Sequence, residues 1–127
     1  MAKVKQLTVV LENRPGTLAH MAKILADAKV NITAMLCSAA GAQCSAQVVV
    51  DNVNSAKKAL AAAGLSHTEG TLEQVELANK PGTLAELAGR LAKKGINIDC
   101  IYATMPKGAK KAVVVLGTSK AGEPGAA

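Results

Sequence analysis

Short stretches of the chain have the hydrophobic pattern of strands, and longer stretches between them have that of helices. The first strand-like stretch, residues 7–11, ends shortly before a Pro15-Gly16 turn signal. The stretch after that turn has apolar residues at i, i+3, i+4 and i+7, namely Leu18, Met21, Ala22 and Leu25. This spacing places one apolar stripe on one face of a helix.

The rest of the first half continues the alternation of strands and helices. Two strands are predicted at residues 31–38 and 46–50, around a turn that contains Gly41. A second helix is predicted at residues 54–63, with Asn54 as its N-cap and Gly64 after its end, followed by a strand at residues 65–69. The order βαββαβ is that of a ferredoxin-like module, an α+β fold with helices on one face of an antiparallel sheet.

The chain contains an internal repeat, which we detect by shifting it 66 positions along itself. Residues 9–50 then match residues 75–116 at 16 of 42 positions without a gap. The densest identity pairs residues 13–19, read as Asn-Arg-Pro-Gly-Thr-Leu-Ala, with residues 79–85, read as Asn-Lys-Pro-Gly-Thr-Leu-Ala. The sequence therefore predicts two modules in tandem, with a boundary between residues 69 and 70.

The second copy is shorter than the first. Its predicted strands are 72–77, 97–105 and 112–116, and the 11 residues after Leu116 are too few for another helix and strand. We expect module 1 at residues 1–69, module 2 at residues 70–127 without its last helix and strand, and a flexible tail from about residue 118. The missing helix leaves part of a sheet face to be covered, which favours a homodimer.

Composition excludes several classes of protein. Half of the residues are hydrophobic, which excludes a disordered chain, and no apolar run is long enough to span a bilayer. No signal peptide is recognisable at the N-terminus, so we expect a cytoplasmic protein without a membrane partner. The net charge is +6, but Tyr102 is the one aromatic residue, so stacking on bases has little support and a nucleic-acid partner is not expected.

No catalytic or metal-binding motif is present in the sequence. The two histidines are not near a cysteine or serine in a nucleophile motif, and we read His20 as a surface residue. The three cysteines form no C-x-x-C motif, which argues against a metal site. Cys37 and Cys44 flank the Gly41 turn and could face each other, either as two thiols or as a redox clip. We expect a protein that is not an enzyme and has no cofactor or metal.

The repeated strand–Asn-x-Pro-Gly-Thr-Leu–helix–x-Asn-Ile–strand pattern resembles the ACT domain, a small ligand-sensing module, twice in one chain. The resemblance covers roughly residues 5–117. The first copy, with Glu12 to Gly16 and Val30-Asn31-Ile32, is similar to the regulatory domain of serine-inhibited phosphoglycerate dehydrogenase. The resemblance implies a regulatory protein whose ligand, an amino acid or similar metabolite, lies at clefts between modules or between subunits.

The resemblance also implies which residues contact the ligand. In each copy they are the loop asparagine, the glycine and leucine of the loop motif, and the asparagine of the second strand: Asn13, Gly16, Leu18 and Asn31, then Asn79, Gly82, Leu84 and Asn97. We add Asp99, which stands where the first copy has Thr33 and would favour an ammonium group. Independently, a helix start attracts a carboxylate, and a glycine lets a ligand approach the backbone.

Each of these residues also has a structural interpretation. The asparagines and glycines are frequent in turns, and the sequence does not decide between turn formation and ligand contact. For the whole protein, the leading hypothesis is an amino-acid sensor that acts on a separate polypeptide. The alternative is an interaction or regulatory subunit of a separate metabolic enzyme, with no ligand of its own.

Overall fold

The computed structural model describes residues 1–120, and these form two compact units. The first unit is Lys5–Gly70, and the second unit combines Met1–Val4 with the chain from Thr71 onward. The secondary-structure elements are β1 Ala2–Glu12, α1 Thr17–Asp27, β2 Ile32–Ala40, β3 Gln43–Val50, α2 Val53–Ala62, β4 His67–Ala78, α3 Thr83–Lys93, β5 Ile96–Ala103 and β6 Lys111–Lys120.

The first unit is a complete βαββαβ module. Strand β3 lies between β2 and β1, antiparallel to both, and Leu7 is opposite Val48. The chain enters β4 beside β1, where the Val10 N–H donates to the Ser66 carbonyl over 3.1 Å. The strand order 2-3-1-4 is that of a ferredoxin-like sheet.

The core of the first unit lies between its sheet and both of its helices. Alternate strand residues such as Leu7, Val9 and Val48 point toward the helices and are completely buried. Helix α1 contributes Met21 and Leu25 to this cluster, and α2 contributes Ala56 and Leu60. Of the predicted apolar stripe of α1, Met21 and Leu25 are therefore buried and Ala22 is half-buried, whereas Leu18 is exposed.

The second unit repeats the first half of this plan. Strand β6 lies between β4 and β5, antiparallel to both, and Val75 is opposite Val114. Helix α3 buries Leu87 and Leu91 against the sheet, and the described residues contain no second helix here. Five residues form the buried cluster, against 11 in the first unit. The ferredoxin-like α+β class is confirmed.

Several predicted boundaries are corrected by the structure. The N-cap of α2 is Asn52, whose side chain accepts from the Ser55 N–H over 3.0 Å, and not Asn54. The structure has one strand, β4, which begins at His67, in place of the two strands predicted at residues 65–69 and 72–77. One strand thus serves as the last of the first module and the first of the second.

The C-terminal end differs from the prediction as well. Strand β6 continues to Lys120, past the expected start of the flexible tail at about residue 118. The remainder of the predicted tail, residues 121–127, lies outside the described residues. Among residues 1–120, no helix is long and apolar enough to cross a membrane.

Candidate functional site

The loop between β1 and α1 begins the helix without a side-chain cap. Gly16 is the N-cap residue and has φ +91°, a left-handed conformation that side chains disfavour. The N–H groups of the first helical turn therefore receive no side-chain acceptor. The Thr17 hydroxyl instead closes the loop, since it lies 2.7 Å from the Glu12 carbonyl and 3.1 Å from the Arg14 carbonyl.

Asn13 connects this loop to the turn between β2 and β3. Its side-chain Nδ2 donates to the Gly41 carbonyl over 2.9 Å, and its backbone N–H donates to the Ala42 carbonyl over the same distance. The donor side of the Asn13 amide is thus used to fix the loop. Asn13 has the turn-forming role that the sequence left open as one of two interpretations.

A pocket of about 470 Å³ opens beside this loop. Its walls are the end of β1, the loop itself, the first turn of α1 and the turn between α2 and β4. The lining residues are Val10, Leu11, Glu12, Arg14, Pro15, Gly16, Thr17, His20, Gly64, Leu65 and Ser66. All of them belong to the first unit, and the volume is in the range of small-molecule sites.

Opposite charges stand side by side at the rim of the pocket. The Arg14 Nε donates to Glu12 Oε2 over 2.5 Å, and both side chains are mostly exposed, at 65% and 71%. This hydrogen bond and the positive charge of Arg14 lower the pKa of Glu12. Glu12 is therefore ionised at neutral pH, but an ion pair this exposed is weak and either partner can turn to a ligand.

The loop between β4 and α3 of the second unit has the same geometry. Gly82 has φ +94° and begins α3 without a side-chain cap, and the Thr83 hydroxyl lies 2.9 Å from the Ala78 carbonyl. Asn79 Nδ2 donates to the carbonyls of Pro106 and Ala109, each over 2.8 Å. The repeated sequence motif therefore specifies one loop geometry twice.

The structure places the predicted site residues unequally. In the first unit, Gly16 lines the pocket, while Asn13 holds the loop and the Leu18 side chain is 40% exposed. The Asn31 backbone N–H donates to Asp51 Oδ1 over 2.9 Å, and Asn31 does not line the pocket.

In the second unit, Gly82 and Asn79 belong to the loop just described, and Leu84 is 45% exposed. Asp99 Oδ1 accepts from Asn97 Nδ2 over 2.8 Å and from Ser119 Oγ over 3.1 Å, so these residues form a polar group on β5 and β6. Ligand contact by any of the nine residues stays a prediction.

Several residues of the pocket wall were not predicted from the sequence to belong to a site. Glu12, Arg14 and His20 are charged or titratable, and the second copy has Ala78, Lys80 and Glu86 in their places. This difference between the repeats was the available signal. The turn at Gly64 to Ser66 lies about fifty residues further along the chain, and no pattern in the sequence connects it with the loop.

A family model described as "ACT domain pair" matches residues 2–123. The chain belongs to the ACT domain pair family. ACT domains are regulatory modules that bind small molecules, so a regulatory, ligand-sensing role is the coarse function of this chain. The finer resemblance of the first copy to the serine-inhibited dehydrogenase domain stays a prediction. No curated protein matches the chain significantly.

Solved structures share the fold over most of the chain. A protein from Bacteroides thetaiotaomicron has a TM-score of 0.87 and 26% identity, over 93% of this chain and 81% of that one. The ligand-free regulatory subunit of aspartate kinase from Thermus thermophilus has a TM-score of 0.68 and 17% identity, over 91% and 85%. The corresponding subunit from Thermus flavus has 0.64 and 18%, over 91% and 85%. The two kinase subunits are similar in fold alone.

Proposed function

We propose that this ACT domain pair is a non-catalytic sensor that binds a free amino acid in the pocket of its first unit. The observation that carries the proposal is the pairing of Arg14 with Glu12 at the rim of a pocket of about 470 Å³. An α-amino acid is a zwitterion, with a carboxylate and an ammonium group a few bonds apart. The rim offers one group of each complementary charge.

Each charged group of the ligand has a partner in this arrangement. The guanidinium of Arg14 can hold a carboxylate through two parallel hydrogen bonds, and the uncapped first turn of α1 adds N–H groups and a favourable dipole. The carboxylate of Glu12 takes the ammonium group. The ligand side chain then extends toward Leu11 and Leu65, which provide apolar wall.

The first unit is the better candidate for the bound ligand, because its loop has a second wall. The turn at Gly64 to Ser66 follows α2, and the described part of the second unit contains no element that corresponds to α2. At the second loop, Ala78 and Lys80 also replace the charged pair. One ligand per chain is the expected stoichiometry.

The proposal is tested by thermal unfolding with each of the twenty amino acids at millimolar concentration, followed by circular dichroism because the chain has no Trp. A ligand at about 100 times its Kd stabilises the folded state by about 2.7 kcal/mol, which raises Tm by several degrees. Titration calorimetry of a ligand found in this way then gives Kd and stoichiometry.

The matched variants are Arg14→Ala and Lys80→Ala, at equivalent positions of the two loops. Arg14→Ala removes the partner of the ligand carboxylate, and we expect affinity to fall at least about tenfold, while Lys80→Ala changes it less than about twofold. Equal effects of the two variants, or no selective amino acid at all, would contradict the proposal.

A second candidate is an interaction subunit that associates with another chain through its second unit. Ile101 lies opposite Leu116 on the face of the sheet that α3 covers in part, yet it is 38% exposed. Met105, at the end of the same hairpin, is 37% exposed. A second copy of this chain or a separate metabolic enzyme would cover these positions, as the absence of a helix equivalent to α2 led us to expect.

This candidate is distinguished by the state of the purified protein in solution. We expect light scattering to give the mass of a dimer, and Ile101→Lys to give the mass of a monomer with an unchanged circular dichroism spectrum. A monomeric wild-type protein would exclude the homodimer and leave the separate enzyme as the covering partner.

A further inference from the structure

Two thiols face each other across the β2–β3 hairpin of the first unit, and neither cysteine lines the pocket. Cys37 Sγ and Cys44 Sγ are 2.6 Å apart, and both cysteines are half-buried. Cys37 is opposite Ala46, and Cys44 is opposite Ala39, so the two cysteines are diagonal neighbours. Both side chains pack against the core cluster, which places them on the same face of the sheet.

The positions suit a covalent bond between the two sulfur atoms. A disulfide joins sulfur atoms at about 2.05 Å, so the thiols need to approach by only about half an ångström. Diagonal neighbours on one face of an antiparallel pair are within reach of each other. The sequence left open whether these residues remain two thiols or form a redox clip, and their proximity favours the clip.

The disulfide would close the β2–β3 hairpin, whose turn is hydrogen-bonded to the loop between β1 and α1, the first loop. Its turn residues Gly41 and Ala42 accept the two hydrogen bonds from Asn13. Cys44 is also opposite Leu11, and Gln43 is opposite Glu12, at the end of β1 where the loop begins. A cross-link between residues 37 and 44 therefore restrains the acceptors on which the loop conformation depends.

We infer that Cys37 and Cys44 form a redox-modification site, at which a disulfide oxidant of the glutathione type closes the hairpin and rigidifies the first loop. One thiolate attacks the oxidant and forms a mixed disulfide, releasing one glutathione thiol. The second cysteine, as thiolate, attacks the protein-bound sulfur and releases the second glutathione thiol. Two protein thiols and one oxidant disulfide thus become one protein disulfide and two glutathione thiols. The inference does not depend on the proposed ligand.

The hairpin of the second unit provides an internal control. The positions that pair in the second sheet as Cys37 and Cys44 pair in the first are Ala103 and Ala112, so no disulfide can form there. The Asn79 N–H donates to the Lys110 carbonyl over 2.9 Å, as the Asn13 N–H donates to the Ala42 carbonyl. The exchange rates of these two backbone amides report separately on the two loops.

The experiment incubates the full chain with oxidised glutathione and follows thiols by mass spectrometry. A hydrogen bond with Cys44, together with burial, raises the pKa of Cys37 to about 11, so the reaction is run at a mildly alkaline pH to increase the thiolate fraction. The expected product has lost two hydrogen atoms, and peptide mapping finds the bond between residues 37 and 44. Cys100→Ser should react in the same way, and Cys37→Ser should form no intramolecular bond.

Hydrogen exchange measured by NMR then compares the oxidised and reduced proteins. Closing an eight-residue loop restrains local opening, so we expect the Asn13 amide to exchange about tenfold more slowly after oxidation, and the Asn79 amide at an unchanged rate. Persistence of both thiols, or accumulation of the mixed disulfide, would overturn the modification site. A disulfide that leaves the Asn13 exchange rate unchanged would overturn its effect on the loop.

Discussion

The two loops that begin α1 and α3 share a backbone geometry but differ in their surroundings. Each has a left-handed glycine before the helix, a threonine hydroxyl on the preceding carbonyls and an asparagine amide on a hairpin turn. The first loop borders a pocket with the Arg14–Glu12 pair at its rim and the α2–β4 turn as a wall.

This comparison separates two contributions of the repeated motif. Because both copies of the motif form the same loop, its asparagine, glycine and threonine serve the turn wherever the motif occurs. Because Ala78, Lys80 and Glu86 replace Glu12, Arg14 and His20, the charged groups vary independently of the turn. The motif provides the frame of a site, and residues next to it determine whether the site suits a zwitterion.

The largest expected difference between the units is in the free energy of unfolding that is lost when equivalent core leucines are replaced by alanine. Leu25 lies in a cluster of 11 buried residues that two helices cover, whereas Leu91 lies in a cluster of five. We expect Leu25→Ala to lower the free energy of unfolding by about 4 kcal/mol and Leu91→Ala by about 2 kcal/mol. Urea unfolding followed by circular dichroism measures both, with the exposed Leu84→Ala as a control near zero. Equal losses would contradict the comparison.

The next largest effect concerns the loop asparagines. Asn79 Nδ2 donates two hydrogen bonds and Asn13 Nδ2 donates one, so removing the side chain leaves more carbonyl groups unpaired at the second loop. We expect Asn79→Ala to cost about 2 kcal/mol of stability and Asn13→Ala about 1 kcal/mol. The same unfolding measurement tests this order. A larger loss of stability for Asn13→Ala than for Asn79→Ala would show that the number of side-chain hydrogen bonds does not determine the loss.

A smaller effect is expected from transferring the charges of the first loop to the second. The triple variant Ala78→Glu, Lys80→Arg and Glu86→His gives the second loop the charged groups of the first. We expect calorimetry still to find one ligand per chain, because the described part of the second unit contains no counterpart of the α2–β4 turn to form a second wall. A second binding event would show that the charges alone are sufficient. The wild-type protein, titrated with the same amino acid, is the control.

The smallest expected difference between the units is a pH dependence of stability that is absent at neutral pH. It comes from Tyr102, whose equivalent in the first unit is Leu36. Burial, and to a lesser extent the charge of Cys100, raises the pKa of Tyr102 from 10.0 to about 12. The folded state therefore holds the phenol proton more tightly than the unfolded state. The stability that this proton contributes is complete below pH 10.0 and is lost as the pH rises through about 12.

This pH dependence is directly measurable, because Tyr102 is the one tyrosine and the chain has no Trp. We expect the phenolate absorbance of the folded protein to appear near pH 12 and that of the urea-unfolded protein near pH 10. As the pH rises from 10 to 12, the free energy of unfolding of Tyr102→Leu should fall less than that of the wild type. Coincident titrations of folded and unfolded protein would contradict burial as the cause.

Much of the fold could be predicted from hydrophobic spacing and the repeat. The stripe of Leu18, Met21, Ala22 and Leu25 predicted α1, and the second copy of the motif predicted α3. The N-cap of α2 was predicted wrongly because two nearby asparagines fit the same sequence pattern. Asn52 and Asn54 are both good N-caps, and only the backbone path shows that Asn52 reaches the Ser55 N–H.

The candidate site was less predictable than the fold. Gly16 could be predicted to line it, because the motif and the helix start are local features. The contribution of Gly64, Leu65 and Ser66 depends on how α2 packs and where β4 enters beside β1, which are long-range features. The ion pair of Glu12 with Arg14 is local, but its significance depends on the pocket beside it.

The sequence by itself determined the duplication, the three helices, most of the strands, and a turn at each Asn-x-Pro-Gly-Thr motif. These follow from local preferences: the spacing of apolar residues, the left-handed glycine and the hydroxyl that closes the loop. The tertiary structure decided that one strand, β4, replaces the two predicted at residues 65–69 and 72–77, that the pocket has a wall from a distant turn, and that two thiols meet across a hairpin. Each of these features depends on strand pairing and helix packing between segments that are far apart in the chain, and a local sequence pattern does not encode such long-range contacts.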